Sequence, residues 1–312
     1  MGIRFIFGRA GAGKSYYCLN QIKKKIDNDK NNKLIMLVPD QYTFQTEKKL
    51  LEHVGEKALL RAEVLSFKRM ATRVFDKCGG RAINVIEDSG KNMLIYKLLK
   101  DKGEELQYFN RISKQQGFVG IVSKSITEFK KYNISEEMLK EKELQIDNKD
   151  LREKINDLTS IYETFNENLH KGYIDSDDIL SILAQKLKSC ELYNDAEIWI
   201  DEFTTFTPQQ LEVLKVLAKQ CKNVNITLCS DGEIGFTEGE TDIFDVIKNT
   251  ENRILKMMQE NNISYKEPVN LNKKYIYRFK DSKELGHIEK YFFNFPFKIY
   301  KDRCNEDRKS VV

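Results

Sequence analysis

Short runs of apolar residues alternate with longer amphipathic stretches over the first 80 residues. The short runs predict buried strands, at Ile3 to Phe7, at Leu34 to Val38 and around residues 64–65. The longer stretches predict two helices, one after Lys14 and one that Ser66 caps and that ends at Gly79-Gly80. Strands and helices that alternate at this spacing favour a parallel sheet covered by helices, the α/β class.

The middle of the chain has a different pattern. From about Asn84 to Gly172, lysine and glutamate are dense and apolar residues keep helical spacing, as in the series Phe118, Ile121, Val122, Ile126 and Phe129. Apolar strands return at Ala196 to Ile200 and at Val224 to Cys229. The helix between them opens on a capping box, Thr207-Pro208-Gln209-Gln210. The pattern predicts one sheet domain interrupted by a helical insertion.

Composition is typical of a globular protein and does not indicate a binding partner. The 312 residues are 40% hydrophobic and carry a net charge of +4. No apolar run approaches the roughly 20 residues that cross a bilayer, so we expect a cytoplasmic protein with no membrane contact. The six cysteines form no CxxC pair, which makes reduced, mostly buried thiols the expectation and a metal site unlikely to be built from them.

A phosphate-binding loop is predicted next to the first strand. The pattern G-x-x-x-x-G-K-[ST] is matched by Gly8-Arg9-Ala10-Gly11-Ala12-Gly13-Lys14-Ser15, between a buried strand and an amphipathic helix. The glycines let the loop wind around an anion so that backbone N–H groups point at phosphate oxygens. We expect Lys14 to neutralise the β and γ phosphates of ATP and Ser15 to give its hydroxyl to Mg²⁺.

An acidic pair follows a later strand. The stretch Glu197-Ile198-Trp199-Ile200-Asp201-Glu202 delivers Asp201 at the carboxyl end of an apolar strand, where its carboxylate can hold Mg²⁺ beside the P-loop. Glu202 stands where a base that orients the attacking water belongs. Alone, such a pair more often caps the next helix, but a P-loop in the same chain favours a Walker B motif.

Together, the two motifs set the predicted domains. Residues 1–83 and 173–270 would form a P-loop NTPase core with a RecA-like parallel sheet, and residues 84–172 the inserted helical subdomain. Residues 271–312 would be the truncated start of a further domain.

Further segments at predicted strand ends suggest contacts with DNA. Bases would stack on Tyr42, Phe44 or Phe67, and backbone phosphates would be held by Thr43, Lys68 or Arg69, with Gln41 and Ser66 beside them. These segments resemble strand-end DNA-contact motifs of superfamily 1 helicases. A later stretch, Tyr173 to Leu180, resembles their D-x-D-D-[IL]-L motif.

The sequences of four segments are closer to those of one protein family than to those of active helicases. GRAGAGKS, VPDQYTFQTEKKL, VLSFKRMATRVF and IWIDEFTTFTPQQLEVL resemble the N-terminal region of the AddB family, over Met1 to about Phe293. Members of that family partner AddA in bacterial helicase-nucleases. The resemblance implies DNA and an AddA subunit as partners, in a heterodimer that resects DNA ends and recognises Chi during double-strand break repair by homologous recombination.

The resemblance also implies an ATP site without motor activity. Superfamily 1 motors carry Gly-Asp-x-x-Gln after the third core strand, and its glutamine senses the γ phosphate. The equivalent stretch here is Cys229-Ser230-Asp231-Gly232-Glu233. The family's nuclease and [4Fe–4S] cluster belong to its C-terminal part, so no residue of this chain is assigned to them. We therefore expect ATP–Mg²⁺ to bind with little or no turnover.

Three other interpretations stay open. The chain could belong to an active superfamily 1 helicase or translocase truncated before its second motor domain. It could be a P-loop kinase or nucleotide-dependent regulator unrelated to DNA, although the sequence near the P-loop offers no arginine-rich lid. It could also be a binding platform whose ATP site is vestigial, which the affinity of Lys14→Ala for Mg-ATP would reveal.

Overall fold

The computed structural model describes residues 2–28, 32–56, 61–79, 84–169, 172–232, 243–272, 276–292, 296 and 298–301. The chain divides into two compact units. Unit 1 comprises Met1–Ser66, Tyr193–Thr205 and Ala218–Val312, and unit 2 comprises Phe67–Leu192 and Phe206–Leu217. The domain boundaries that the sequence suggests, at the helical insertion, stay a prediction.

Strands and helices alternate along most of the chain. The strands are β1 (Ile3–Phe7), β2 (Leu34–Leu37), β3 (Ala62–Leu65), β4 (Asn84–Ile86), β5 (Tyr173–Asp175), β6 (Glu197–Ile200), β7 (Asn223–Leu228) and β8 (Tyr265–Asn270). The α-helices are α1 (Lys14–Asn28), α2 (Thr43–Val54), α3 (Phe67–Cys78), α4 (Asp88–Lys102), α5 (Gln116–Lys131), α6 (Glu136–Glu143), α7 (Lys149–Leu169), α8 (Ile179–Leu187), α9 (Pro208–Gln220), α10 (Asp245–Glu260) and α11 (Lys283–Tyr291). Among the described residues, no helix is both long enough and apolar enough to cross a membrane.

Six strands form one sheet in unit 1, in the order β3-β2-β6-β7-β1-β8. Every neighbouring pair in this sheet is parallel. All residues of β2 and β6 are buried, as in a sheet that helices cover on both faces. These observations confirm the predicted α/β fold, and the predicted strands at β1, β2, β3, β6 and β7 are all present.

Helices α1 and α2 cover one face of this sheet. The apolar stripe of α1 is buried and packs on sheet residues from four strands, in a core of Ile6, Cys18, Leu19, Ile22, Ile26, Leu34, Met36, Val38, Leu50, Ala62, Val64 and Trp199. Burying about ten side chains of this size stabilises the unit strongly, since each contributes about 1.5–3 kcal/mol relative to exposure. This packing fixes the start of α1 at the carboxyl end of β1.

The predicted capping box at the start of α9 is confirmed. The Thr207 backbone N–H donates to Gln210 Oε1 at 2.9 Å, and the Gln210 backbone N–H donates to Thr207 Oγ1 at 3.3 Å. Two N–H groups that the helix itself leaves unpaired are thereby satisfied.

Unit 2 is mainly helical, with its core where α4, α5 and α7 meet. Phe118, Val122 and Ile126 of α5 are buried there, as predicted. Ile121 is instead 61% exposed, because at 100° per residue it lies about 95° from the centre of that stripe. The sequence pattern also missed the parallel pair β4–β5, whose strands are too short to show a periodicity.

The D-x-D-D stretch lies in unit 2 and meets two buried lysines. Lys91 Nζ lies 3.2 Å from Asp175 Oδ2 and 2.5 Å from Asp177 Oδ2. Lys130 Nζ lies 3.0 Å from Asp175 Oδ2 and 2.6 Å from Asp178 Oδ2. Lys91 and Asp175 are fully buried, so their charges depend on these ion pairs for compensation. In this structure the stretch holds α4, α5 and the segment after β5 together.

The pKa values of two carboxyl groups in this cluster are shifted in opposite directions. Burial raises the pKa of Asp178 above its usual value, and the nearby Lys130 only partly offsets that effect. Burial also acts to raise the pKa of Asp177, but hydrogen bonds from Lys91 and Thr127 outweigh it, so the pKa lies below the usual value. Asp177 therefore stays ionised and stabilises the fold until the pH falls through its lowered pKa.

A disulfide corrects the prediction that all cysteines are reduced. Cys78, at the end of α3, is bonded to Cys190, which follows α8, with Cα atoms 5.9 Å apart. Cys18, Cys221 and Cys229 are free thiols, and Cys304 lies outside the described residues. The sequence separation of 112 residues hid this proximity, because α3 and α8 come together only in the folded unit.

The cluster of buried charges makes Lys91→Met a strongly destabilising change. Losing the ammonium group would leave Asp177 without its ion pair and Asp175 with Lys130 alone, and we expect the free energy of unfolding to fall by about 3–5 kcal/mol. Urea denaturation measures it. The matched control is Lys140→Met, which removes an exposed partner of Glu163 and should leave the free energy of unfolding nearly unchanged. Equal losses in the two variants would show that burial does not set the effect.

Candidate nucleotide-binding site

The predicted P-loop and the predicted Walker B strand end at the same edge of the sheet. The P-loop joins β1 to α1, and Asp201 follows β6 directly. Strand β7 lies between β1 and β6 and runs parallel to both. Because the carboxyl ends of parallel strands share one edge, this order brings the loop, the acidic pair and the end of β7 together, where open α/β sheets bind ligands.

Two glycines of the P-loop adopt left-handed backbone conformations, with φ of 85° at Gly11 and 92° at Gly13. A Cβ atom at Gly13 would meet nothing within 4 Å, whereas one at Gly11 would lie 2.6 Å from Arg278 Cβ. The space beside Gly13, at the start of α1, is therefore open. The first N–H groups of a helix have no partner within it, so this opening suits an anion.

Lys14 spans the P-loop. Its Nζ donates to the carbonyl oxygens of Gly8, at 2.7 Å, and Arg9, at 3.3 Å. The Ala12 backbone N–H also donates to the Arg9 carbonyl, which tightens the loop, while Ala10 is exposed. An ammonium group has three donors, so Lys14 keeps one for a phosphate oxygen.

Asp201 is buried, and its two carboxylate oxygens have different surroundings. Oδ1 accepts a hydrogen bond of 2.5 Å from Thr227 Oγ1, on β7. Oδ2 is also buried and has no hydrogen-bond partner within the described part of the chain. An unpartnered buried carboxylate oxygen is costly, and a divalent cation or a water bound to one would satisfy it. The donor set of Asp201 and Ser15, both oxygen ligands, fits Mg²⁺.

The charge of Asp201 also acts on the first turns of α1. Burial raises the pKa of the Cys18 thiol well above its usual value, and the neighbouring Asp201 carboxylate raises it further. Cys18 therefore stays protonated and acts as a small apolar residue between the sheet and α1.

Glu202 turns back towards the P-loop helix. Its backbone has φ of 65°, a left-handed conformation that is rare for glutamate. Its exposed side chain accepts a hydrogen bond from Ser15 Oγ at 3.3 Å. Glu202 thus contacts the hydroxyl that we predict to bind Mg²⁺, a contact that the sequence did not reveal. Its role as a water-orienting base stays a prediction.

The segment after β8 packs on the P-loop. The Arg9 backbone N–H donates to Asn272 Oδ1 at 2.7 Å, and the Asn272 amide donates to the Ser230 carbonyl, just after β7, at 2.9 Å. Arg9 Nε also lies 3.0 Å from Glu289 Oε1, on α11. Asn272 therefore connects the P-loop to the loop after β7. Glu233, in the stretch without a sensor glutamine, lies outside the described residues.

Arg278 belongs to the same segment. Its backbone N–H donates to the Gly11 carbonyl at 3.2 Å, and its side chain lies against Gly11. Sequence reasoning missed Asn272, Arg278 and Glu289, because more than 260 residues separate them from the P-loop and no local pattern marks such contacts.

The residues predicted to contact DNA differ in exposure within unit 1. Phe44 is 75% exposed and Gln41 is exposed, so both are accessible to a nucleic acid. Tyr42 is partly buried and packs against the core of the sheet. Thr43 is buried, and its hydroxyl donates to the Asp40 carbonyl at 2.9 Å, which leaves it poorly placed to hold a phosphate. Ser66, at the end of the third core strand, is buried as well.

The remaining DNA-contact candidates begin α3 in unit 2. Lys68 and Arg69 are exposed, whereas Phe67 is buried. A ring that faces the interior cannot stack on a base without leaving its packing, so Phe67 serves the core in this structure. Among the predicted stacking residues, Phe44 is the most accessible.

The contrast between the two glycines leads to a test of the contact between Arg278 and the P-loop. In Gly11→Ala the new methyl group would displace Arg278 and weaken its bond to the loop, so amide exchange at residues 276–279 should accelerate by about fivefold. Hydrogen–deuterium exchange with mass spectrometry measures it. Gly13→Ala is the control, because it brings similar strain from φ but no new neighbour. Equal acceleration in both would contradict a specific contact.

Known proteins match nearly the whole chain. A family model described as "ADDB, N-terminal" matches residues 5–289. An ATP-dependent helicase/deoxyribonuclease subunit of Clostridium perfringens strain 13 is 50% identical over 308 residues, which are 99% of this chain and 26% of that protein. The subunit of the same name in Clostridium tetani is 47% identical over 98% of this chain and 27% of that protein.

A third relative has the same relation to the chain. The corresponding helicase/deoxyribonuclease subunit of Clostridium botulinum strain Hall is 46% identical over 98% of this chain and 27% of that protein. The chain thus spans about a quarter of the length of these curated relatives. With the family model covering most of its residues, the chain belongs to the AddB N-terminal family.

Proposed function

We propose that this chain is the ATP-binding, helicase-like N-terminal region of an AddB protein that acts with an AddA subunit in a heterodimeric ATP-dependent DNA helicase and exonuclease. The relatives are named as subunits of ATP-dependent helicase/deoxyribonucleases, which supports the assignment. The complex would resect DNA ends and recognise Chi in double-strand break repair by homologous recombination. The [4Fe–4S] cluster and nuclease of such a protein would lie in the rest of its length.

One observation carries the ATP assignment. The open space beside Gly13 and Oδ2 of Asp201, which has no hydrogen-bond partner among the described residues, lie at one edge of the sheet, and they suit an anion and a cation respectively. A nucleoside triphosphate supplies the anion, and its magnesium ion supplies the cation. The helix N–H groups and Lys14 would hold the β and γ phosphates, and Ser15 and Asp201 would hold Mg²⁺. The ion, when bound, neutralises phosphate charge.

We propose that the region binds ATP without working as a motor. The loop after β7 lacks the glutamine that couples the γ phosphate to movement in superfamily 1 enzymes. In that loop, the Ser230 carbonyl accepts a hydrogen bond from the side chain of Asn272, which in turn accepts one from the Arg9 backbone N–H of the P-loop. All these groups are neutral, so they place no charge near the phosphate. Glu202 is bound to Ser15 rather than directed at open space. These features favour a nucleotide-dependent scaffold over a translocating enzyme.

DNA is the proposed macromolecular partner, and its contacts would be made by Phe44, Gln41, Lys68 and Arg69. Phe44 offers an exposed ring on which any base can stack, and the two basic residues offer charge for phosphates. With a net charge of only +4, binding would depend on such local groups rather than on a general basic field.

Lys14→Ala tests the ATP site. Losing a charged hydrogen bond to phosphate should weaken Mg-ATP binding about 10–100-fold, as measured by isothermal titration calorimetry. Lys24→Ala, an exposed lysine on the same helix, should leave the affinity unchanged. Equal affinities of Lys14→Ala and the wild type would favour a vestigial site. Brisk ATP hydrolysis stimulated by DNA would contradict the absence of motor activity.

Phe44→Ala and Lys68→Ala separate two contributions to binding single-stranded DNA. Losing the ring should weaken binding by about 1–3 kcal/mol without changing its salt dependence. Losing one phosphate contact should lower the slope of log K against log salt by about 0.7. Fluorescence anisotropy at several salt concentrations measures both.

Two exposed residues of unit 2 serve as the controls for DNA binding. Leu144→Ala removes an exposed apolar side chain, and Lys100→Ala removes an exposed charge. Neither should change affinity or slope. Losses that match those of Phe44→Ala and Lys68→Ala would show that the binding is not localised at the predicted residues.

A further inference from the structure

We propose that Thr227 is a positioning residue for the magnesium ion, because its hydroxyl orients the carboxylate of Asp201 so that Oδ2 faces the cation. This inference rests on the proposed ATP–Mg²⁺ site and adds a residue to it. Thr227 lies outside the P-loop and the acidic pair, and no pattern in the sequence marks it.

The fold places Thr227 between the two halves of the site. Strand β7 pairs with β1 on one side, where Thr227 is in register with Ile6, and with β6 on the other. Ile226 is in register with Ile200, the last residue of β6, so Thr227 is level with Asp201. Both side chains are almost fully buried. A rigid central strand therefore holds the hydroxyl beside the carboxylate.

The contact gives the two carboxylate oxygens of Asp201 different roles. The hydroxyl donates to Oδ1 at 2.5 Å, and Oδ2 has no partner among the residues that the structure describes. The terminal torsion of aspartate is broad and roughly two-fold, so a carboxylate without this bond could turn either oxygen, or neither, towards a ligand. The bond from Thr227 removes that freedom. A cation would then meet one fixed oxygen and lose less affinity to ordering.

A purely structural role for Thr227 is the competing explanation. Other polar residues of β7 also bond to β6: Asn223 donates to Glu197 Oε2 at 3.1 Å, and Asn225 donates to the Ile198 carbonyl at 3.2 Å. Thr227 differs from both because it contacts the proposed cation ligand. Asn225 provides a matched control, since its bond joins the same two strands without reaching Asp201.

The test is a Mg²⁺ titration of nucleotide binding at a fixed concentration of a fluorescent ATP analogue. Thr227→Val keeps the shape and removes the hydroxyl. We expect its Mg²⁺ midpoint to rise about tenfold, while the affinity for the analogue without Mg²⁺ stays within about twofold of the wild type. Thr227→Ser keeps the donor and should restore the midpoint. Asn225→Ala should leave the midpoint unchanged.

Each result supports or overturns the inference. An unchanged midpoint in Thr227→Val, or an equal loss of affinity with and without Mg²⁺, would overturn it while leaving the ATP site intact. If the wild type does not bind the nucleotide, both the proposed function and this inference are rejected. Circular dichroism checks folding, and if Thr227→Val does not fold, Thr227→Cys, a weaker donor of similar size, replaces it with the same expected direction.

Discussion

The parallel alignment of β1, β7 and β6 is the constraint on which the site depends. Because these strands end at one edge, a loop near residue 10 and a carboxylate at residue 201 become neighbours without any sequence proximity. The start of α1 brings the positive end of a helix to that edge, and Lys14 adds a full charge. The buried Asp201 supplies the opposite sign. The α1 stripe that packs on the sheet holds this arrangement, so core packing and site geometry have the same cause.

The P-loop is supported from a direction that its own motif does not specify. Asn272, Arg278 and Glu289 all contact it from the segment after β8. Burial raises the pKa of Glu289, and the nearby Arg9 only partly offsets that effect. The loop thus has a closed side, against Arg278, and an open side, at Gly13. This asymmetry supports the proposal that the loop binds an anion.

Local patterns predicted what local physics determines. Apolar runs located the strands of the main sheet, the capping box located the start of α9, and the glycine spacing located the P-loop. Contacts between distant segments were not predictable in this way: the Cys78–Cys190 bond, the bridge through Asn272 and the lysines around Asp175 each depend on tertiary packing. Exposure was also predicted incorrectly: Ile121 lies to the side of the buried stripe of α5, and Phe67, which was predicted to stack on bases, is buried. The roles of Asp201 and Glu202 were assigned by position, and their different surroundings appeared only in three dimensions.

The lysine–aspartate cluster of unit 2 limits how this region can change over generations. Lys91 and Lys130 share Asp175, so loss of either lysine leaves Asp175 with one partner and a second carboxylate, Asp177 or Asp178, without its ion pair. Intermediates with a single change would be selected against, whereas a joint exchange to apolar residues would cost little, because the interactions are strongly non-additive. Among relatives, the residues at these positions should therefore change together or remain the same. Such covariation cannot be seen by comparing one position at a time.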